Sequence, residues 1–275
     1  MGTIDWNDTP RERLSVNGVG IEYACYGPPP GAAPTIVMLH EGLGCTALWR
    51  DFPRKLADAT GCGVFVYSRQ GYGQSDPVEL PRPLDFMTRE AVDVLPALLD
   101  AIGFQEGVLF GHSDGATIAA IYGGSISDMR VRGLILMAPH FFTEPDGLAE
   151  IAKTAEAFKT TDLPQKMGKY HADVNGAFRG WADTWLDPRF KDWNVAEVID
   201  YLRIPVLAIQ GRDDQYGTLA QIAEVEDRAY SPVDTLILDD CRHAPHQEQP
   251  EATLAAVQDF MARLRRIEAA TVEMA

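Results

Sequence analysis

The stretch VLFGHSDG at residues 108–115 decides the fold of this chain. Its apolar start predicts a buried strand, and the small residues at 116–120 (ATIAA) predict a helix directly after it. A chain that passes from strand to helix through G-x-S-x-G holds the serine in a sharp, strained turn, flanked by glycines because side chains there would collide with the neighbouring strand and helix. Ser113 is therefore expected at the carboxyl edge of a parallel sheet, beside the N–H groups of a helix N-terminus.

A serine hydroxyl is a weak nucleophile at neutral pH, so it needs a base and a group that orients that base. Residues 206–210 (VLAIQ) predict a buried strand, and the carboxylates Asp213 and Asp214 follow it. Residues 236–238 (LIL) predict the next strand, and His243 follows that one. The order of serine, acid and histidine, each after a predicted strand, indicates a Ser-Asp-His triad.

These motifs make the chain resemble the α/β-hydrolase superfamily from about Val19 to Leu264. The resemblance implies an α/β fold with a mostly parallel central sheet, flanked by helices and carrying an inserted helical cap. It implies a serine nucleophile, since relatives that open epoxides or remove halide use a carboxylate at the same turn.

The same resemblance chooses between neighbouring residues. The pattern G-x-x-D falls on Asp214 and leaves Asp213 as a turn residue. The pattern G-H-x-x-x-x-E-x-P fits His243 with Glu248 and Pro250, although Arg242 stands where the pattern has glycine. His246 is then a structural residue.

A tetrahedral intermediate also needs N–H donors for its oxyanion. The resemblance implies the backbone N–H of Asp114 and that of Gly42, with Leu43 as the alternative to Gly42. Glu41 stands where a glycine is usual and is expected to turn away, toward a cation or loop amides. His40 is expected to support the loop. Residues 68–75 (SRQGYGQS) resemble the D-x-x-G-x-G-x-S turn of the superfamily, with Ser68 replacing the aspartate.

The alternation of strands and helices predicts a parallel sheet with right-handed crossovers. An antiparallel strand at 21–26 precedes it, with a hairpin turn at Asn17-Gly18 after a polar lead-in. Helices are expected at Leu48–Ala59 and Arg89–Ile102. Residues 140–203 lack strands, so we expect a core in two parts, 1–139 and 204–275, with the cap at 140–203. The cap is rich in aromatic residues, and we expect Leu43, His140, Phe141, Trp181 and Trp185 to line a substrate pocket.

Composition narrows the class of protein. The 275 residues carry a formal net charge of −16, which disfavours nucleic acid and anionic membranes as partners. No apolar run is long enough to span a bilayer, and the polar start lacks the features of a signal peptide, so a cytoplasmic location is expected. The four cysteines have no metal-ligand spacing, and neither a metal nor another cofactor is expected.

The predicted function is hydrolysis of small or medium apolar carboxylic esters through an acyl-enzyme. Carbon–carbon bond hydrolysis, lactone opening and perhydrolysis remain alternatives on the same three residues. An alternative of another class is a small-ligand sensor on a hydrolase scaffold. The partner is in each case a small molecule, and the sequence does not indicate an oligomeric state.

Overall fold

Eight strands form one sheet in the part of the chain that the computed structural model describes, namely Ile4, Trp6 and residues 12–273. Two strands near the amino terminus precede six that alternate with helices. In chain order the strands are β1 (Glu12–Val16), β2 (Val19–Tyr26), β3 (Thr35–Leu39), β4 (Gly63–Tyr67), β5 (Gly107–His112), β6 (Val131–Met137), β7 (Val206–Gly211) and β8 (Val233–Leu238).

The strand order across the sheet is β1-β2-β4-β3-β5-β6-β7-β8. The pairs β1–β2 and β2–β4 are antiparallel, and all later neighbours are parallel. The predicted hairpin turn has positive φ at Asn17 (52°) and Gly18 (82°). Residues 12–16, which the sequence analysis placed in the lead-in, form β1 because this turn folds them back onto β2. The expectation of a mostly parallel sheet is confirmed, and the carboxyl ends of its parallel strands meet at one edge.

Helices cover both faces of the sheet. They are α1 (Phe52–Thr60), α2 (Phe86–Arg89), α3 (Leu95–Ala101), α4 (Asp114–Ser125), α5 (Pro145–Thr160), α6 (Leu163–Met167), α7 (Val174–Trp185), α8 (Ala220–Arg228), α9 (Pro245–Glu248) and α10 (Pro250–Glu273). Short 3₁₀ helices lie at Thr46–Trp49, Pro188–Phe190 and Ala196–Tyr201, and a π-helical turn at Glu90–Val94 joins α2 to α3.

The sheet separates two apolar layers, because successive side chains of a strand point to opposite faces. Val37 and Leu109 pack in one layer, whereas Met38 and Phe110 pack in the other. The first layer continues into the helices between β6 and β7, and the second is closed by α1 and α10. Each fully buried large apolar side chain contributes about 1.5–3 kcal/mol to stability.

Between β6 and β7 the chain forms helices and no strand of the sheet; one isolated bridge pairs Phe142 with Asn194. This segment packs its aromatic side chains against the layer that contains α4. Within the described residues, no helix combines the length and apolar character needed to cross a membrane.

Candidate active site

Ser113 sits between β5 and α4 in a strained backbone conformation, with φ of 54° and ψ of −121°. Such a conformation costs a non-glycine residue about 1–3 kcal/mol. The Ser113 N–H donates to the Met137 carbonyl (2.9 Å), which ties the turn to β6. A Cβ at Gly111 would overlap the backbone of Gly115, and one at Gly115 would overlap the Leu39 carbonyl. Both glycines are therefore required for the close approach of strand and helix.

Asp214 and His243 form a hydrogen-bonded pair at the ends of β7 and β8. His243 Nδ1 lies 2.9 Å and 2.8 Å from the two carboxylate oxygens of Asp214, whose side chain is fully buried. Gln210 Nε2 (2.9 Å) and the Tyr216 N–H (2.8 Å) also donate to this carboxylate. Burial alone would raise the pKa of Asp214, but His243 and the Tyr216 N–H outweigh it and hold the pKa below its ordinary value.

This pairing prepares His243 to accept a proton. In the neutral imidazole the Nδ1–H donates to Asp214, which leaves the lone pair of Nε2 free. Ser113 and His243 line the same cavity. Within the described part of the chain the Ser113 hydroxyl has no hydrogen-bond partner. The hydrogen bond between a nucleophile and its base commonly forms or shortens only when substrate is bound.

Asp213 and His246, the sequence alternatives to Asp214 and His243, lie in different surroundings. Asp213 is exposed, and its N–H donates to the Cys241 carbonyl in the turn after β7. His246 is buried with its ring 4.7 Å from that of Trp49. Burial, with a smaller effect of His112, lowers the pKa of His246 to about 3, so it is neutral near pH 7. Neither residue lines the cavity.

Glu248 holds the loop that carries His243. Its two carboxylate oxygens accept the N–H groups of Arg242 (2.9 Å) and Ala244 (3.0 Å), the residues on either side of the histidine. Arg242 occupies the usual glycine position without difficulty, because its φ is not positive and its side chain is exposed. The E-x-P part of the sequence motif thus has a structural role beside the site.

Two residues that line the cavity with Ser113 have backbone N–H groups without a partner in the described part of the chain. Gly42, in the loop after β3, and Asp114, the first residue of α4, both line it. Neither N–H donates to another group among the described residues. Unpaired N–H groups beside a nucleophile are the arrangement that an oxyanion requires. The N–H of Leu43, the alternative to Gly42, is unpaired in the same way, and Leu43 also lines the cavity.

The loop that carries Gly42 is held by His40 and Arg69, both fully buried. His40 Nδ1–H donates to the Glu41 carbonyl (2.6 Å), and His40 Nε2 accepts the Arg69 N–H (3.0 Å). The Arg69 guanidinium donates to the carbonyls of His40 and Glu41. Burial, and secondly the charge of Arg69, lower the pKa of His40 well below its ordinary value, so the imidazole stays neutral. His40 therefore supports the loop and does not reach the cavity.

His171 is a residue that the sequence analysis missed. It lies between α6 and α7, and its Nδ1 accepts the N–H of Gly73 (3.0 Å) while its Nε2–H donates to the Leu43 carbonyl (3.1 Å). Burial lowers the pKa of His171, in keeping with a neutral ring that donates and accepts once. A single histidine outside any motif carries no signal in one sequence, so only the structure reveals this link.

Ser68 and Glu22 together occupy the place of the aspartate in the superfamily turn. The Ser68 hydroxyl donates to Glu22 Oε2 (2.7 Å) and accepts the Thr46 N–H (2.9 Å). The same Glu22 oxygen accepts the Gln74 N–H (2.9 Å). A carboxylate from β2 thus replaces the one that the turn itself lacks.

Glu41 turns toward His112 while remaining on the cavity wall. Its Oε2 lies 3.5 Å from His112 Nδ1, and His112 Nε2–H donates to the His243 carbonyl (2.7 Å). Burial acts to raise the pKa of Glu41, but the interaction with His112 outweighs it and holds the pKa well below its ordinary range. Glu41 is therefore a carboxylate at the cavity near neutral pH.

The cavity has a volume of about 90 Å³ and lies between the carboxyl edge of the sheet and the helices after β6. Aromatic, acidic and small residues make up its wall: Glu41, Gly42, Leu43, Ser113, Asp114, His140, Phe142, Glu144, Gly147, Leu148, Ile151, Trp181, Trp185, Tyr216 and His243.

The predicted wall residues Leu43, His140, Trp181 and Trp185 are among these, but Phe141 is not. Phe141 lies fully buried in the apolar layer, and Phe142 lines the cavity instead. The Phe141 N–H donates to Gln221 Oε1 (2.7 Å), and the Phe141 carbonyl accepts the Val195 N–H (2.7 Å). These bonds fix the bend at Phe141, which packs this side chain in the apolar layer while His140 and Phe142 line the cavity.

His140 enters the cavity after a strained residue. Ala138 has a φ of 49°, and its N–H donates to the Ile209 carbonyl (2.8 Å), which fixes the turn at the end of β6. The His140 ring lies 5.5 Å from that of Trp185 and 5.8 Å from that of His243. Burial, and then the neighbouring His243, lower the pKa of His140 to about 3, so it presents a neutral ring.

The described residues contain neither a reactive thiol at the cavity nor a cluster of metal ligands. Cys45 and Cys241 are buried thiols whose pKa burial raises to about 12 and about 11, so they stay protonated. No group of three or more His, Cys, Asp or Glu side chains in residues 4, 6 and 12–273 is arranged to hold a metal ion. A larger, open groove of about 920 Å³ lies at the amino ends of β6 and β7, away from Ser113.

Known proteins share this architecture. Epoxide hydrolase 2 of Siraitia grosvenorii is 28% identical over 130 residues, which are 46% of this chain and 38% of that protein. The chain thus matches well under half the length of that relative.

Two solved structures are similar over almost the whole chain. The 2-hydroxy-6-oxo-6-phenylhexa-2,4-dienoate hydrolase of Rhodococcus sp. strain RHA1 has a TM-score of 0.77 at 17% identity, over 92% of this chain and 98% of that one. The naproxen esterase (carboxylesterase NP) of Bacillus subtilis has a TM-score of 0.69 at 15% identity, over 91% and 90%. At such identities the likeness shows the fold alone. Residues 36–257, however, match the sequence model of the alpha/beta hydrolase family. The chain therefore belongs to the alpha/beta hydrolase family.

Proposed function

We propose that the protein is a serine hydrolase that cleaves small or medium carboxylic esters with apolar acyl or alcohol groups. The observation that supports this most strongly is the shared cavity of Ser113 and His243, with His243 held by the buried Asp214. The strained turn at Ser113 and the unpaired N–H groups of Gly42 and Asp114 supply the other parts that acyl transfer needs.

The proposed reaction has two stages. Ser113 Oγ attacks the carbonyl carbon while His243 Nε2 takes the hydroxyl proton, and the N–H groups of Gly42 and Asp114 donate to the oxyanion. The bond to the alcohol oxygen then breaks as Nε2 returns the proton to it. Water, deprotonated by the same nitrogen, attacks the acyl carbon, and the bond to Ser113 Oγ breaks as Nε2 returns the proton to Oγ and the acid leaves. Asp214 stabilises the imidazolium in both stages.

Residues 140–203 are proposed to act as a cap over the site. Phe142, Trp181 and Trp185 come from this segment and form walls of the cavity. A cavity of about 90 Å³ suits a short chain and not a polymer or a lipid surface. We therefore propose that short or medium acyl esters are preferred.

The alternatives are less well supported. Hydrolysis of a dienoate, named for the Rhodococcus structure, involves a carboxylate substrate, and no Lys or Arg is among the residues described at the cavity wall. Epoxide opening in this superfamily uses a carboxylate at the position that Ser113 holds. Lactone opening and perhydrolysis use the proposed parts unchanged, and a sensor would have no need of the Asp214–His243 pair.

The test is the variant Ser113→Ala with p-nitrophenyl butyrate as substrate. We expect turnover to be abolished with the circular dichroism spectrum unchanged, because no other described group at the wall is placed as the nucleophile. Screening short esters, lactones and ring-cleavage products with the wild type separates the candidate substrates. Normal turnover in the variant would refute the assignment.

A further inference from the structure

The proposed substrate cavity is strongly acidic. Glu41, Asp114 and Glu144 all line it, and among the described residues of the wall there is no Lys or Arg. Glu144 accepts only neutral donors, namely the N–H (2.9 Å) and hydroxyl (2.6 Å) of Thr218 and the amide of Gln221 (2.8 Å). These bonds leave its negative charge uncompensated. The potential inside the cavity therefore favours a positively charged group.

Asp114 is the carboxyl group that most needs a partner. It is 1% exposed, and its Oδ2 has no hydrogen-bond partner among the described residues. Burying a polar atom without a partner is costly, and more so for a charged one. The indole Nε1 of Trp185 is near enough to lower the pKa of Asp114, but this N–H does not meet hydrogen-bond geometry with it. A cation beside the carboxylate would offset part of this cost.

The nearest cations lie behind the wall. Arg69 and Arg82 both pack on the Tyr72 ring, at 5.2 Å and 4.9 Å, and neither lines the cavity. Burial raises the pKa of Asp114, and the charges of Arg69, Arg82 and His243 oppose this without cancelling it. A cation bound on the cavity side would lower the pKa of Asp114 further, as these positive charges do. Binding of the cation therefore favours the ionised form of the carboxyl group.

Aromatic residues form much of the rest of the wall: Trp181, Trp185, Tyr216 and Phe142 line the same cavity. Their apolar surface displaces water, and the attraction between an ammonium group and a carboxylate is stronger where water is displaced. Asp114 Oδ2 lies 3.3 Å from the point that a Cβ on Gly42 would occupy, and Trp181 covers the same point. Carboxylate and indole thus meet beside the loop whose N–H is proposed to hold the acyl oxygen.

We propose that the cognate ester carries an ammonium group on its acyl chain, held against the Asp114 carboxylate within this largely aromatic cavity. This inference rests on the proposed ester hydrolysis for its chemistry and adds the class of substrate. Glu41 and Glu144 strengthen the selection for a cation and reject carboxylate-bearing esters.

Three methyl esters of matched shape test this with the wild type. Methyl γ-dimethylaminobutyrate is a cation near neutral pH, methyl isoheptanoate replaces the dimethylammonium with an isopropyl group, and monomethyl glutarate replaces it with a carboxylate. We expect kcat/KM, measured by proton release, to be about tenfold higher for the cation than for the isopropyl ester, and lowest for the carboxylate. If kcat/KM for the isopropyl or the carboxylate ester equals that for the cationic ester, the inference is overturned while ester hydrolysis still stands.

Variants locate the binding group. In Asp114→Asn the ratio of kcat/KM for the cationic and isopropyl esters should fall toward one. Asp183→Asn, which removes a charge from the exposed face of α7, should keep the wild-type ratio. An unchanged ratio in Asp114→Asn would contradict the assignment.

Binding of N,N-dimethylpropylammonium, measured by calorimetry, separates this inference from the proposed reaction. We expect binding to the wild type that is about tenfold weaker in Asp114→Asn. If no ester is cleaved but the amine binds in this way, the cation site stands and the hydrolytic function fails. If the amine does not bind the wild type, the inference fails whatever the esters show.

Discussion

Asp214 shows how neighbouring groups set the state of one side chain. It is fully buried, yet its pKa is below the ordinary value because His243 and the Tyr216 N–H stabilise its charge. Gln210 fills a further acceptor position on the same carboxylate. The carboxylate is therefore fixed in both charge and direction, and it can hold the Nδ1–H form of His243.

This assignment predicts a large effect from a small change. In Asp214→Asn we expect kcat for p-nitrophenyl butyrate to fall about 10³- to 10⁴-fold, because an amide N–H facing Nδ1 favours the imidazole form with the proton on Nε2. Asp213→Asn is the matched control, since that side chain is exposed in the same turn. Equal losses in the two variants would show that the turn, and not the carboxylate, matters.

The choice of residues at the site was partly open to sequence reasoning. The motif spacing favoured Asp214 over Asp213 and His243 over His246, and the structure pairs the two favoured residues. Glu22 and His171 were not accessible in this way. They act through contacts with Ser68 and with Leu43 and Gly73, residues far away in the chain, and nothing in the local pattern records such contacts.

At the scale of elements, prolines account for two differences from the expected helices. The helix expected from Leu48 begins at Phe52, because Arg50 has a φ of 54° and Pro53 favours the first turn of a helix. The helix expected over 89–102 is interrupted by the π turn at Glu90–Val94, and Pro96 is the second residue of the helix that follows it. Proline lacks the N–H of a regular helical bond, and the wider turn accommodates it.

His171 links the segment between β6 and β7 to the loop that carries Gly42. In His171→Leu we expect kcat to fall about tenfold with a smaller change in KM, because the Leu43 carbonyl and the Gly73 N–H lose their partners and the loop can shift. His171→Gln keeps one donor and one acceptor and should recover part of the activity. Steady-state kinetics on both variants, with Lys169→Ala as an exposed control, measure this.

A loss of activity in His171→Leu that His171→Gln does not relieve would mean that ring packing against Tyr72, and not hydrogen bonding, is what matters. Wild-type kinetics in His171→Leu would show that the loop is held well enough by Arg69 alone.

At the scale of the whole molecule, buried histidines join the apolar layer beneath α1 to the residues around His243. His246 packs between Trp49 and Phe52, with ring centroids 4.7 Å and 5.7 Å away, and its Nδ1 is buried without a partner among the described residues. His140 is buried on the other side of His243. The packing around His243 and the loop before it thus depends on imidazoles that stay neutral.

The stability of the protein should therefore fall on acidification. The pKa of His246 is lowered to about 3 in the folded protein, against about 6.5 in the unfolded chain. Between these values the unfolded chain binds a proton that the folded protein does not, so stability is complete above about pH 6.5 and declines as the pH falls toward about 3. The slope is about 1.4 kcal/mol per pH unit for each such group.

The variant His246→Leu isolates one group. Urea unfolding near pH 7 and near pH 5 should show the wild type losing about 2 kcal/mol more than the variant between the two conditions, since the variant keeps His140 but lacks one titrating imidazole. Near pH 7 the free energies of unfolding of the two proteins should differ by less than this. The variant replaces an imidazole, whose Nδ1 has no partner among the described residues, with an apolar side chain of similar volume. The same acid-induced loss in both proteins would contradict a neutral, buried His246, since its protonation would then be equally easy in the folded and unfolded chains.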